Sequence, residues 1–211
     1  MKPSKQVLRV EKVRTRWVLG IAFALVALSV GAGVTRASDE STVRWDIISV
    51  DFSTGTASAG GIASARANDN SKITVTGSGT FQVEDGKLEE ATGGGSWTTF
   101  NASNVGTGSG TYRVTGAVRW EPAPGTPPLP NDNIGNRADT SAGLAVLRIR
   151  YSDGSAGILV VSCHLLGTPD SVFEGITASK GFADYWNREA PPAPPGNANR
   201  TVFHATPGDE E

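Results

Sequence analysis

The chain has 211 residues, with 19 Lys and Arg against 21 Asp and Glu, 26 Gly, 12 Pro, two His and one Cys. A lone cysteine excludes an internal disulfide, and with two histidines the usual ligands of a structural zinc site are missing. The length suits one domain held together by its own core.

Residues 1–37 read as an export signal. Lys2, Lys5, Arg9, Lys12, Arg14 and Arg16 stand against one acid, Glu11, and residues 17–34 carry no charge. A basic start followed by an apolar run is the pattern of a secretory leader. Cleavage is expected after Ala37, with Ala32 as a second choice; the alternative is an uncleaved anchor, since the run is long enough to cross a bilayer. The protein is therefore expected to be exported, secreted or in the cell envelope, and to touch membrane only through this segment if it is retained. Without it, 12 basic residues face 20 acidic ones, a formal net charge of −8. Such a chain repels phosphate backbones, so nucleic acid is not an expected partner.

From residue 38 to 189 the sequence predicts a single all-β domain, an antiparallel sandwich or barrel with Gly-rich strands and Pro-rich loops. Runs rich in Val, Ile, Thr and aromatics, bounded by Gly, Asn-Asp and Asp-Gly, predict strands at 43–52, 57–65, 72–84, 95–101, 109–121, 144–151 and 156–165. In the fifth of these, Tyr112, Val114, Gly116, Val118 and Trp120 share one face. Asp153-Gly154 reads as a two-residue hairpin loop, which pairs Ile149 with Ile158, Leu147 with Val160 and Leu144 with Cys163. "TGSGTF" and "TGSGTY", beginning at Thr76 and Thr107, mark places where another backbone passes closely or a strand bulges. The Pro-rich stretch 121–131 opens a surface loop running to Gly143, and a connection of that length is often functional. Residues 172–187 fit a helix or a hairpin turning at 179–181, with Gly175 and Gly181 favouring the hairpin. Residues 190–211 read as a Pro-rich linker and acidic tail.

Few side chains here carry chemistry. Cys163 and His164 are adjacent, but in a strand they point to opposite faces. Cys163 joins Leu159, Val161 and Leu165 as a buried thiol. His164 and Ser162 could line a cavity, with Asp170 or Glu174 returning to orient the ring; these three, His164, Asp170 and Glu174, are the only catalytic candidates. Trp97 and Trp186 are the candidates for a surface platform that stacks on sugar rings, whereas Trp45 and Trp120 alternate in phase with core residues. No cofactor and no metal site is expected; a calcium site is the exception left open by "NDN" at 68–70 and 131–133, although the spacing of a calcium loop is missing.

Taken together, "GGGSWTTF", "SGTYRVTGAVRW", "GLAVLRIRYSDGSAGILVVSCHL" and "SVFEGITASKGF" resemble segments of small exported bacterial β-rich proteins of no established activity. The Gly-rich strand ends and "VFEGITASKG" are also faintly similar to barrels of the dirigent and allene-oxide-cyclase kind. These likenesses imply a bacterial exported β domain and no catalytic residue. The expected function is a non-catalytic binding or surface-interaction module for an extracellular or envelope ligand, either carbohydrate or a small apolar molecule. The alternatives are a barrel enclosing a small apolar ligand, with both faces of residues 144–165 buried, and a hydrolase or isomerase using His164.

Overall fold

The computed structural model describes residues 40–208. The expected export signal and the last acidic residues lie outside the described part. Fifteen strands follow in order: β1 (Ser41–Asp51), β2 (Thr56–Ala59), β3 (Ala63–Arg66), β4 (Lys72–Val75), β5 (Ser78–Glu84), β6 (Lys87–Glu89), β7 (Gly94–Phe100), β8 (Gly106–Ala123), β9 (Asn131–Asp132), β10 (Thr140–Tyr151), β11 (Ala156–Cys163), β12 (Gly175–Lys180), β13 (Ala183–Tyr185), β14 (Asn187–Arg188) and β15 (Arg200–Pro207). The only helical element among the described residues is a 3-10 turn at Arg137–Asp139.

Six antiparallel strands close on themselves in the order β1, β5, β7, β8, β10, β15 and back to β1. The fold is thus an all-β barrel, and the sandwich alternative falls away. Closure removes the open edges that an isolated sheet would expose. Outside it, β11, β12 and β13 extend the sheet from β10, and β4, β3 and β14 extend it from β7. The core is filled by side chains: Trp45, Phe81, Phe203, Leu147 and Tyr151 on the barrel strands, and Leu159 on β11, are among the largest fully buried. Each contributes about 1.5–3 kcal/mol by leaving water.

Several local expectations need correction. The loop between β10 and β11 holds three residues, Ser152 to Gly154, with Tyr151 N–H donating to Ser155 O and Gly154 at φ +90°. This is the three-residue hairpin with glycine in the left-handed position, and it shifts the register by one. Ile149 therefore faces Gly157, Leu147 faces Leu159, and Cys163 faces Gly143 instead of Leu144. In β8 the alternation breaks at two bulges, opposite Val146/Leu147 and Arg148/Ile149. A bulge inserts a residue and swaps faces; Val118 is consequently exposed while Ala117 packs on the core.

Residues 172–187 do form a hairpin, β12 with β13, turning at Gly181 and Phe182. The repeated glycines sit where space runs out. A Cβ on Gly79 would lie 2.2 Å from Thr92 O and 2.7 Å from Gly93 Cα.

The largest departure concerns the C-terminus, read as linker and tail. Residues 190–199 are irregular, but Arg200–Pro207 is the strand that closes the barrel between β1 and β10. Its "RTVFHATP" buries Thr201, Val202, Phe203 and His204 in succession, the pattern of a strand covered on both faces.

Candidate functional site

β1 and β15 carry apolar residues on their outer face as well as their inner one. Trp45 and Ile47 point into the barrel; Ile48 and Val50 belong to a second buried cluster with Ala57 and Val202, against which Phe52, Leu129 and Ile134 pack. Something must cover that face, because an apolar sheet surface left in water is costly. The cover is the Pro-rich loop.

The loop is fixed at both ends. Thr126 exchanges two backbone hydrogen bonds with Leu166, and the Thr168 hydroxyl donates to Pro124 O at 2.8 Å. Farther along, β9 runs parallel to β2, with Asn131 N–H donating to Gly55 O and Asn133 N–H to Ala57 O. Arg137 crosses beneath, donating from Nε to Leu129 O and from Nη2 to Pro127 O, both at 2.8 Å. Proline fits here because these backbone positions need no N–H for a ladder.

Between loop and sheet lies a pocket of about 240 Å³. Its walls are chiefly the apolar residues above, with Pro127, Pro128 and Leu165. The polar residues at its wall are Asn131, Asp132, Arg137, Thr140, His164, Glu174, Arg200 and Thr201. Two of their atoms, Thr140 Oγ1 and Arg200 Nε, are buried without a hydrogen-bond partner. Each such atom costs about 1–3 kcal/mol until something pairs with it. The Arg200 guanidinium otherwise donates from Nη2 to Pro192 O at 3.0 Å and lies 4.9 Å from the Phe52 ring centre.

Two carboxyls at this wall are tuned in opposite directions. Burial pushes Glu174 up to about 7, against the pull of the His164 and Thr201 N–H groups and of Arg200. Those N–H groups reach Glu174 Oε2 and Oε1 at 2.6 Å each. Asp132 is also pushed up by burial, but the N–H groups of Ile134 and Gly135 and the His204 ring outweigh this and hold it below the usual carboxylate range. His204 Nε2 lies 2.8 Å from Asp132 Oδ2, with both side chains almost wholly buried. This pair latches the loop to β15.

His164 lines the pocket, yet no carboxylate orients its ring: Nδ1 meets Val172 O at 2.7 Å, and Glu174 takes the backbone N–H instead. Asp170 is exposed and outside the pocket wall. Ser162 is fully buried away from the pocket, its hydroxyl 3.4 Å from Gly143 O. Cys163 lies in the core, where burial, with the Glu174 charge in support, pushes its thiol well up; a thiolate nucleophile does not form there.

Trp97 is not a surface platform. It is 5% exposed, its Nε1 donates to Thr111 O at 3.1 Å, and Lys180 Nζ lies 4.3 Å above its ring. Trp186 is 59% exposed beside β13. Residues 144–165 are not buried on both faces, since Arg148 and Arg150 are exposed, and of this stretch only His164 and Leu165 line the pocket. Of the two "NDN" turns, Asp69 accepts from the Ser71 N–H and hydroxyl, and Asp132 is taken by His204. Among the described residues, no three His, Cys, Asp or Glu side chains converge as metal ligands.

The chain matches no known family, curated protein or solved structure. The pocket's chemistry thus carries the functional reading. Arg200 and Thr140 escaped the sequence reading, and Asp132 entered it only within the "NDN" at 131–133, because these residues are brought together by β15 and the loop. A signal for the pocket floor was present in "RWDIISV", where apolar residues occupy both parities of one strand.

Proposed function

We propose that the domain is a non-catalytic binding module that holds a small, largely apolar molecule between the outer face of β1 and β15 and the Pro-rich loop. With the export signal read from residues 1–37, its place is outside the cytoplasm. The observation that carries this reading is the ready-made pocket itself: apolar walls, a roof clipped at both ends, and the Arg200 and Thr140 side chains at its wall, each with one buried polar atom that no protein group pairs. A cavity of this size takes a molecule of roughly a dozen heavy atoms, with a carbonyl or carboxylate at the polar end.

Octanoate is the probe that fits, with octanol as its uncharged counterpart. At a hundred times Kd the ligand adds about 2.7 kcal/mol to stability. That is a rise in Tm of about 5–11 °C for a domain of this length. Val202→Phe, which fills the floor, removes the rise. No shift with either probe at millimolar concentration, and an identical mass for native and denatured protein taken from its source, would refute the reading. The acid–base alternative has one observation in its favour, the Glu174 carboxyl held near neutrality. Both its oxygens already accept backbone N–H groups, which makes it first a brace between the 164–174 loop and β15.

A further inference from the structure

The described residues include all 12 basic side chains outside the export signal, and most have an evident partner. Arg44, Arg66, Arg119 and Lys180 pair with carboxylates. Lys72, Arg188 and Arg200 lie over aromatic rings, and Arg137 holds the Pro-rich loop. Lys87 stands alone and exposed in β6, whereas Arg113, Arg148 and Arg150, which also have neither a carboxylate nor a ring among the described residues, all face one open depression on the outside of β8, β10 and β11, Arg150 donating from Nη1 only to Gly154 O at 3.0 Å. An acidic domain has thus left three arginines unneutralised in one place.

The arrangement is costly in isolation. Arg150 stands directly opposite Arg113 across the β8–β10 ladder, and like charges so placed are destabilising. Arg148 follows two residues along the same strand face, about 7 Å away. Farther along that face, Arg119, opposite Val146, is neutralised by Glu121 at 3.0 Å. The same sheet therefore pairs one arginine and leaves three open.

We infer that this face, around Arg113, Arg148 and Arg150, is a docking surface for an anionic polysaccharide bearing carboxylate or sulfate groups. Guanidinium forks match the planar oxygen pairs of such groups. The depression is shallow, with Thr115, Ala156, Gly157 and Ile158 between the arginines, so an extended chain lies across it without meeting a wall. It offers no protruding aromatic or long aliphatic side chain, which a membrane surface or a protein partner would need as an anchor.

Affinity electrophoresis of the full chain at low ionic strength, through gels holding polygalacturonate, dextran sulfate or neutral dextran, tests this. Both polyanions are expected to retard the protein, and neutral dextran is not. The triple variant R113S/R148S/R150S is expected to bind at least about tenfold more weakly, with the slope of log K against log salt reduced by about one per arginine lost. It should fold, because removing facing like charges leaves Tm unchanged or raises it. The triple lysine variant, which keeps charge but loses the forks, falls in between. The inference is overturned if neither polyanion retards the wild type, or if the serine variant is retarded equally. It is also overturned if binding occurs only to phosphatidylglycerol vesicles or duplex DNA.

Discussion

Between mildly acidic and mildly alkaline pH, Glu174 must lose its proton in a place that resists the charge. An ordinary glutamate titrates near 4.5; in the fold, burial raises this one to about 7. The folded state therefore binds the proton more tightly than the unfolded chain. Its contribution to stability is fully present below pH 4.5 and is lost as pH rises through about 7, after which the curve is flat. The difference corresponds to about 3 kcal/mol, or a fall in Tm of about 6–12 °C across that window. Asp132, shifted down instead, loses its contribution only as pH falls below the ordinary carboxylate range, outside this window. Glu174→Gln isolates the effect. The amide does not titrate, and it satisfies one of the two N–H groups of His164 and Thr201 but not both, costing about 1–3 kcal/mol. Urea titrations from pH 5 to 8 should show the wild type more stable than the variant at pH 5, and that advantage lost or reversed by pH 8. Parallel profiles, or a wild type that gains stability across this range, would refute the argument.

Two further outcomes follow from the placement of particular side chains. Trp97→Ala removes a buried ring and its hydrogen bond, and should cost about 3–5 kcal/mol in a denaturant melt, whereas Trp186→Ala should stay within about 0.5 kcal/mol of the wild type. His204→Ala leaves Asp132 buried without its counter-group, at a cost of about 3–5 kcal/mol. Hydrogen exchange at the Asn131 and Asn133 amides should then speed up as β9 comes away from β2; unchanged exchange would mean that the pair is not the latch.

Much of the barrel was legible because strand signals are local. Period-two alternation and Gly-bounded apolar runs located β1, β7, β10 and β11 to within a few residues. The register of β10 and β11 was missed by one because Asp-Gly serves both two- and three-residue hairpins, and the sequence does not say whether Ser152 belongs to the loop. The alternation in "TYRVTGAVRW" was real as far as Val114 and then failed, since bulges are set by the neighbouring strand and not by the bulged one. His164 and Glu174 were recognised as neighbours, but their contact runs through a backbone N–H, which no residue type advertises. Arg113 and Arg150 are 37 positions apart in the chain and looked like scattered surface charge until the β8–β10 register set them face to face.

The misreading of the C-terminus leads to the sharpest test of how fold and pocket depend on each other. Prolines at 191, 192, 194 and 195 suggested that order ends near residue 190, and if that were so, removing residues 200–211 would leave the domain intact. In the structure residues 200–207 pair eight deep with β1 and bury Phe203 between β1 and β10. The Phe203 ring also packs edge-on against Trp120 at 4.6 Å. The same strand supplies Arg200, Thr201 and Val202 to the pocket and His204 to the latch. Losing the Phe203 side chain alone costs about 3–5 kcal/mol, against a total stability of about 5–15 kcal/mol for an ordinary domain. Truncation after Asn199 should therefore abolish cooperative folding, and truncation after Gly208 should leave Tm and octanoate binding as they are. A chain ending at Asn199 that still melted cooperatively would show that the barrel closes without β15, and the pocket would then lose the floor on which its proposed ligand rests.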